Sequence, residues 1–176
     1  FNSKEAKSAG INIRADYLKK YEVAKESAEN LAKKLKINDS TMLATAEQTL
    51  AAQNNVRQEL NIDALDISLE KVHPFVKTFI DKKFGTNNRI NFQDWRSFRN
   101  QVTSAIGQAA ANRNGTQVRE LTVLAKELDG MAEQFGRTNS AIGKNFQKFN
   151  TWYGENIIVP FERSGLIKIA AKGPGN

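Results

Sequence analysis

The sequence predicts an all-α protein of five to seven helices joined by short loops. Proline occurs only three times in 176 residues, and alanine, glutamine, lysine and glutamate, which favour helices, are abundant. Apolar residues recur at steps of three and four along most of the chain, whereas runs typical of β-strands are essentially absent. The pattern leaves two architectures open, a closed bundle and an extended helical assembly.

Each predicted helix carries an apolar stripe on one face and a polar residue before its first turn. Such polar side chains accept hydrogen bonds from the free N–H groups at a helix start. No tandem repeat is obvious in the sequence. The predicted helices cover residues 15–35, 42–60, 65–84, 92–112, 116–134 and 140–158. The predicted N-caps are the segment 38–41, Asn91 or Asp94, Thr116 and Ser140.

Proline and glycine mark the expected interruptions. Pro74 lies inside the third stretch and would kink it, and two shorter helices fit the pattern equally well. Residues 85–88 read as a loop, and residues 112–115 are the strongest turn signal, which predicts an antiparallel hairpin of the fourth and fifth helices. Pro160 should end or kink the sixth helix.

The chain divides by charge into residues 1–88 and residues 89–176, although one continuous domain is equally compatible with the pattern. The first part holds 14 basic and 12 acidic residues, net +2, and the second holds 12 basic and 7 acidic residues, net +5. Most aromatic residues also follow position 89. We therefore predict a near-neutral N-terminal helical part and a basic, aromatic-rich C-terminal helical part.

Composition excludes several chemistries. The chain has no cysteine and one histidine, His73, so thiolate metal sites, thiol nucleophiles and multi-histidine sites cannot form. Glu70 and His73 have the spacing of a di-iron ligand pair, but such a site needs that motif twice. No phosphate-binding glycine motif and no apolar run of 18 residues occurs. We predict a non-enzyme with no catalytic residues, no metal and no cofactor.

Charge and aromatic residues supply the candidate functional positions. A basic helical surface can neutralise phosphate without reading bases, although an ordinary solvated surface explains the same residues. The last helix is amphipathic and could dock against a neighbouring subunit, or less favourably lie on a membrane surface. The nucleic-acid-binding candidates are Arg89, Arg96, Arg99, Arg113, Arg119, Lys144 and Lys148. The partner-docking candidates are Trp152, Tyr153, Ile157 and Phe161.

Several short segments resemble helical regions of large phage virion proteins that are carried inside the capsid and ejected with the DNA. The resemblance spans about residues 20–170 through weak, degenerate motifs rather than a catalytic signature. In the first half the segments read AKESAENL (24–31), LKINDST (35–41) and ATAEQ (44–48). In the second half they read FQDWRSFR (92–99), NG (114–115), VREL (118–121) and WYGENIIVPF (152–161).

This resemblance implies a structural piece of a longer internal virion or DNA-ejection protein. Its partners would be other virion proteins, with a homo-oligomer and non-specific DNA contact expected. Its location would be the virion interior and then the host cell envelope on ejection. Two alternatives stay open: a protein-docking helical module without DNA contact, and an accessory domain of a larger phage enzyme whose catalytic domain lies elsewhere.

Overall fold

A computed structural model describes residues 3–62, 69–81 and 84–163, with side chains from residue 15 onward, and confirms the all-α class. These described residues form seven α-helical segments, a 3₁₀ turn, a π turn and one short two-stranded ribbon. The α-helices are α1 (Ser3–Lys34), α2 (Ala46–Glu59), α3 (Pro74–Ile80), α4 (Phe92–Ala111), α5 (Gly115–Gly136), α6 (Ala141–Tyr153) and α7 (Val159–Glu162). The remaining elements are β1 (Met42–Ala44), the 3₁₀ turn Leu69–Lys71, β2 (Ile90–Asn91) and the π turn Gly154–Ile158.

The second predicted helix starts later than expected, because its first residues form strand β1. Thr45 caps α2: its hydroxyl accepts from the Gln48 N–H at 3.2 Å, and the Gln48 side chain accepts from the Thr45 N–H at 2.9 Å. These reciprocal bonds define a capping box. The expected cap at 38–41 was wrong, because this segment forms a turn, in which the Thr41 N–H donates to the Asn38 carbonyl at 3.1 Å, and its carbonyls at residues 39 and 41 accept from the first N–H groups of α4.

The fifth helix also begins differently from the prediction. Asn114, not Thr116, is its N-cap, and the Asn114 side chain accepts from the Gln117 N–H at 3.1 Å. Arg113 has a left-handed backbone, with φ of 53°, and α4 ends before it at Ala111, one residue short of the predicted end at 112. The predicted caps Asn91 and Ser140 are confirmed.

Both central prolines lie near helix starts. Pro74 is in the first turn of α3, where a missing N–H costs nothing, so the third stretch is divided there rather than kinked. Its predicted residues 65–68, 82 and 83 lie outside the described part. Pro160 does not end the sixth helix: the π turn widens the chain just before it, and α7 continues to Glu162. Residues from 164 on lie outside the described part.

The structure contains an internal pseudo-repeat that the sequence did not indicate. Strands β1 and β2 pair antiparallel, with Ala44 opposite Ile90, and both are followed directly by a capped helix. Residues 44 and 90 are 46 positions apart, as are the caps 45 and 91 and the helix ends 34 and 80. The segments α1-β1-α2 and α3-β2-α4 therefore share one order of elements, helix, short strand and capped helix, at a constant spacing of 46 residues.

Helix α5 lies at the centre of the fold. It packs along α4, the predicted hairpin partner, and also contacts α2, α3, α6 and β1. One hydrophobic cluster joins residues from both sides of position 88, from Tyr21 in α1 to Phe161 in α7. The helices of the described part are thus held around one shared core.

Candidate functional site

The most heavily bonded polar cluster surrounds Arg99, whose side chain is fully buried. Its Nε donates to Asp129 Oδ1 at 2.8 Å, and its Nη2 donates to Asp129 Oδ2 at 3.2 Å. The same guanidinium pairs with Glu162, with Nη2 to Oε2 at 2.8 Å. Thr103 completes the cluster, since its hydroxyl donates to Glu162 Oε1 at 2.5 Å. The guanidinium therefore joins α4 to α5 and to α7.

Electrostatics make this cluster strongly coupled. Burial alone would lower the pKa of Arg99, but the carboxylates of Asp129 and Glu162 outweigh burial and raise it well above its ordinary value. Burial raises the pKa of the Asp129 carboxyl, and the facing guanidinium opposes that rise. Every donor edge of Arg99 is thus directed at a protein acceptor. Its assignment as a phosphate-binding residue was wrong, because the guanidinium is neither exposed nor free.

A second polar layer fastens α1 to the C-terminal helices. The Tyr21 hydroxyl donates to the Asn100 carbonyl at 2.8 Å, and the Tyr153 hydroxyl donates to Asn100 Oδ1 at 2.8 Å. The Tyr17 hydroxyl donates to the Phe161 carbonyl at 2.9 Å. Burial raises the pKa of the Tyr21 and Tyr153 hydroxyls, which keeps both as neutral donors.

Three of the four predicted docking residues belong to the interior. Tyr153 and Ile157 are fully buried, and Phe161 is buried between Tyr17 and Tyr21, with ring centroids 5.3 Å from each. Within the same chain, α1 covers Phe161 and α4 covers Tyr153 through Trp95 and Asn100, so this face is not open to a partner. The docking assignment was wrong for these three, because periodicity identifies an apolar face but not what covers it.

The other predicted cations remain at the surface, on different sides of the fold. Arg96 pairs with Asp39 at 3.3 Å and lies over the Phe92 ring at 5.4 Å from its centroid. Arg119 is exposed and donates to the Glu59 carbonyl at 3.4 Å. The structure therefore does not bring the predicted nucleic-acid-binding residues together into one surface. The two remaining arginines, Arg89 and Arg113, are exposed in the turns before and after α4.

One part of the predicted set does converge, on the outer face of α6. Lys144 and Lys148 are exposed, and the half-buried Trp152 follows on the same side. A shallow groove of about 720 Å³ runs along these residues. Its remaining lining residues are Gln147, Thr151 and Glu155.

A second cleft, of about 470 Å³, lies between α1 and α4. Its charged lining residues are Glu22, Lys25, Glu29 and Arg96, two acids and two bases. Lys25 pairs with Glu22 at 3.3 Å and lies 5.5 Å from the Tyr21 ring centroid. The mixed charge gives this cleft no preference for an anion or a cation.

The loop before α4 is held by protein groups. The Gln53 Nε2 of α2 lies 2.8 Å from the Phe79 carbonyl and 3.1 Å from Asn88 Oδ1. Gly85 is required in this loop, because its φ is +67° and a Cβ there would lie 2.3 Å from the Arg89 carbonyl oxygen. In residues 3–62, 69–81 and 84–163, no three His, Asp or Glu side chains are grouped so that they could hold a metal ion.

His73 has a structural position at the start of α3. Its Nδ1 accepts from the Phe75 N–H at 3.0 Å and so caps the helix. The backbone N–H of His73 donates to Glu120 Oε1 at 3.1 Å. Burial lowers the pKa of the His73 imidazole, and burial also raises the pKa of the Glu120 carboxyl. The imidazole must be neutral at Nδ1 to accept this bond.

The His73 cap predicts a pH dependence of stability. Above about pH 6.5, the ordinary histidine pKa, both folded and unfolded chains hold a neutral imidazole and the cap is intact. Below it the unfolded chain binds the proton more readily, so stability should fall as the pH decreases towards the lowered pKa of the folded state. His73→Asn should keep the cap and lose this component, whereas His73→Ala should be about 1 kcal/mol less stable than wild type near pH 7.5, with the difference shrinking as the pH falls and the wild-type cap is protonated.

Urea unfolding of the three proteins between pH 5 and 7.5 measures this difference. Glu120 titrates in all of them, and its effect cancels when wild type is compared with His73→Asn. Parallel pH profiles for these two proteins would contradict a titrating cap at His73.

None of the helices in the described part of the chain is both long and apolar enough to cross a bilayer. Comparison with family models, curated proteins and solved structures finds no match for this chain.

Proposed function

We propose that the chain is a non-enzymatic, helical structural segment of a phage virion protein of the internal, DNA-ejection class. In this function it assembles with other virion subunits and lies beside DNA during its passage into the host. The observation that carries the proposal is the use of the buried polar groups. Arg99, Trp95, Tyr21 and Tyr153 each bond across to another helix, so buried hydrogen bonds join the helices of the described part to one another, which supports a structural role.

Exposed apolar side chains supply the surfaces for assembly. Val23 is 61% exposed and Leu50 is 53% exposed, on α1 and α2. Ile142, near the start of α6, and Val159, the first residue of α7, are each 50% exposed. Single exposed apolar residues are common on monomers, so a test must ask whether these particular positions mediate association.

Light scattering over a range of protein concentrations tests the assembly. We expect a mass above that of the 19.7 kDa monomer, increasing with concentration and nearly insensitive to salt, because apolar contacts are not screened. Leu50→Asp and Ile142→Asp should each shift the chain towards monomer. Asn54→Asp adds the same charge to the exposed surface of α2 without removing an apolar group, and should leave the mass unchanged.

A monomer at every concentration, or an oligomer that Leu50→Asp and Ile142→Asp leave intact, would contradict assembly through these residues. The virion assignment has its own direct test. Peptides of this chain should be present when purified phage particles made from the encoding genome are analysed by mass spectrometry after nuclease and protease treatment of their outer surface. Their absence from such particles would reject an internal virion location.

A further inference from the structure

The outer face of α6 combines two lysines with a tryptophan at helical spacing. Lys144, Lys148 and Trp152 follow one another at four-residue steps and so lie on one side of the helix, about one turn apart. The opposite side of α6 is fully buried through Phe146 and Phe149. The fold therefore fixes these three side chains outward on a rigid support.

Neither lysine forms an ion pair within the described part of the chain. Among the residues that the structure describes, neither ammonium lies within salt-bridge distance of a carboxylate, whereas Lys20, Lys25 and Lys126 each have such a partner. A cation already paired within the protein must give up that bond to bind an external anion. Lys144 and Lys148 can bind an anion without this cost.

Trp152 differs from the other tryptophan of the chain. Trp95 is fully buried and its indole N–H donates to the Leu128 carbonyl at 2.7 Å. Trp152 is only half-buried, and its ring lines the groove together with both lysines. The exposed part of the Trp152 indole can stack a base, and the two unpaired ammonium groups beside it can bind phosphate.

We propose that this surface, Lys144, Lys148 and Trp152, binds single-stranded nucleic acid without sequence preference. The proposal rests on the proposed function in placing nucleic acid beside the chain, and it adds the surface and the form of the strand. Lysine ammonium groups neutralise successive phosphates, and an aromatic face stacks an unpaired base whatever its identity.

The combination favours a single strand over two other anionic partners. A duplex presents phosphates, but its bases are stacked inside and cannot reach an indole that is held on a helix face. An acidic peptide would use the lysines and gain nothing specific from the ring. Glu155 at the end of the groove repels a phosphate there and limits the contact to the segment next to the two lysines.

The test measures binding of a fluorescein-labelled 20-nucleotide oligo-dT to the full chain by anisotropy at several salt concentrations. Lys144→Gln/Lys148→Gln should weaken binding at least tenfold and reduce the slope of log affinity against log salt by about 1.4, since two phosphate contacts are lost from a single strand. Trp152→Ala should weaken binding roughly tenfold, and Trp152→Phe should retain most of it. Lys19→Gln/Lys77→Gln removes the same charge from exposed lysines elsewhere and is the matched control.

Tryptophan fluorescence gives a second readout, because only Trp152 is accessible to a base. Oligo-dT should quench the emission of wild type and leave that of Trp152→Phe unchanged. The proposal is overturned if the double lysine variant binds no more weakly than its control, or if quenching persists in Trp152→Phe. It is also overturned if duplex DNA or poly-glutamate competes as well as oligo-dT. Loss of oligo-dT binding alone leaves the assembly measured by light scattering intact, so failures of the two proposals are distinguishable.

Discussion

Replacing Arg99 with methionine should lower the free energy of unfolding by about 3–5 kcal/mol, the usual cost of breaking a buried ion pair by removing one partner. The substitution keeps much of the side-chain volume but leaves Asp129 and Glu162 without their cation. The Glu162 side chain is only 7% exposed, so water cannot replace the lost bonds well. Urea or guanidinium unfolding followed by circular dichroism measures the loss.

Arg96 provides the matched control, one helical turn before Arg99. Its ion pair with Asp39 is at the surface, with the Asp39 side chain 57% exposed, so Arg96→Met should cost no more than about 1 kcal/mol. The triple variant Arg99→Met/Asp129→Asn/Glu162→Gln should recover much of the loss, because no uncompensated charge remains buried. Equal losses for Arg96→Met and Arg99→Met would contradict a special contribution from the buried cluster.

The position of Arg99 shows what could have been read from the sequence. It lies four residues after Trp95 and three before Val102, directly on the apolar stripe of α4. A charged residue on such a stripe is a signal for a buried, paired group rather than for a surface cation. Its partners were not predictable in the same way, since Asp129 and Glu162 are 30 and 63 residues away and nothing local specifies them.

Local signals predicted the helices and the α4–α5 hairpin, but not the pairing of β1 with β2. The caps Asn91 and Ser140 and the turn at 112–115 follow from side-chain chemistry within four residues. The pseudo-repeat was missed because its two units share spacing but not residue identity: Ala44 is opposite Ile90, and the residues three after the caps are Gln48 and Asp94. A ribbon of two or three residues is also too short to produce a detectable period of two.

The docking prediction for the C-terminal face failed for the same reason, because local signals do not show which elements pack together. The apolar side of an amphipathic helix must be covered, but the sequence of residues 152–161 does not show whether a partner or the chain itself covers it. In the structure the chain itself covers this side, with Tyr17 and Tyr21 of α1 on Phe161 and Trp95 of α4 on Tyr153. The sequence did predict the exposed side of α6 correctly, because Lys144 and Lys148 lie outside its apolar stripe and are exposed.

The two tryptophans should differ sharply in their contribution to stability. Trp95→Ala should lower the free energy of unfolding by about 3–5 kcal/mol, because a large ring is removed from a position with no exposed surface and the cavity closes only in part. The Trp95 ring also meets the Tyr153 ring edge-on, with centroids 5.5 Å apart, so its loss loosens the contact between α4 and α6. Trp95→Phe keeps an aromatic ring but loses the bond to the Leu128 carbonyl, and should cost about 1–3 kcal/mol.

Trp152→Ala makes the same substitution at the surface. It should lower the free energy of unfolding by about 1 kcal/mol, because only part of the Trp152 ring is buried. Denaturant unfolding of the three variants measures these losses. Similar losses for Trp95→Ala and Trp152→Ala would mean that Trp152 is a structural residue, and would remove the main reason for treating its ring as available to a ligand. A much larger loss for Trp95→Ala would show that the fold depends on Trp95 of α4 and not on Trp152, which leaves the Trp152 ring on α6 available to a ligand.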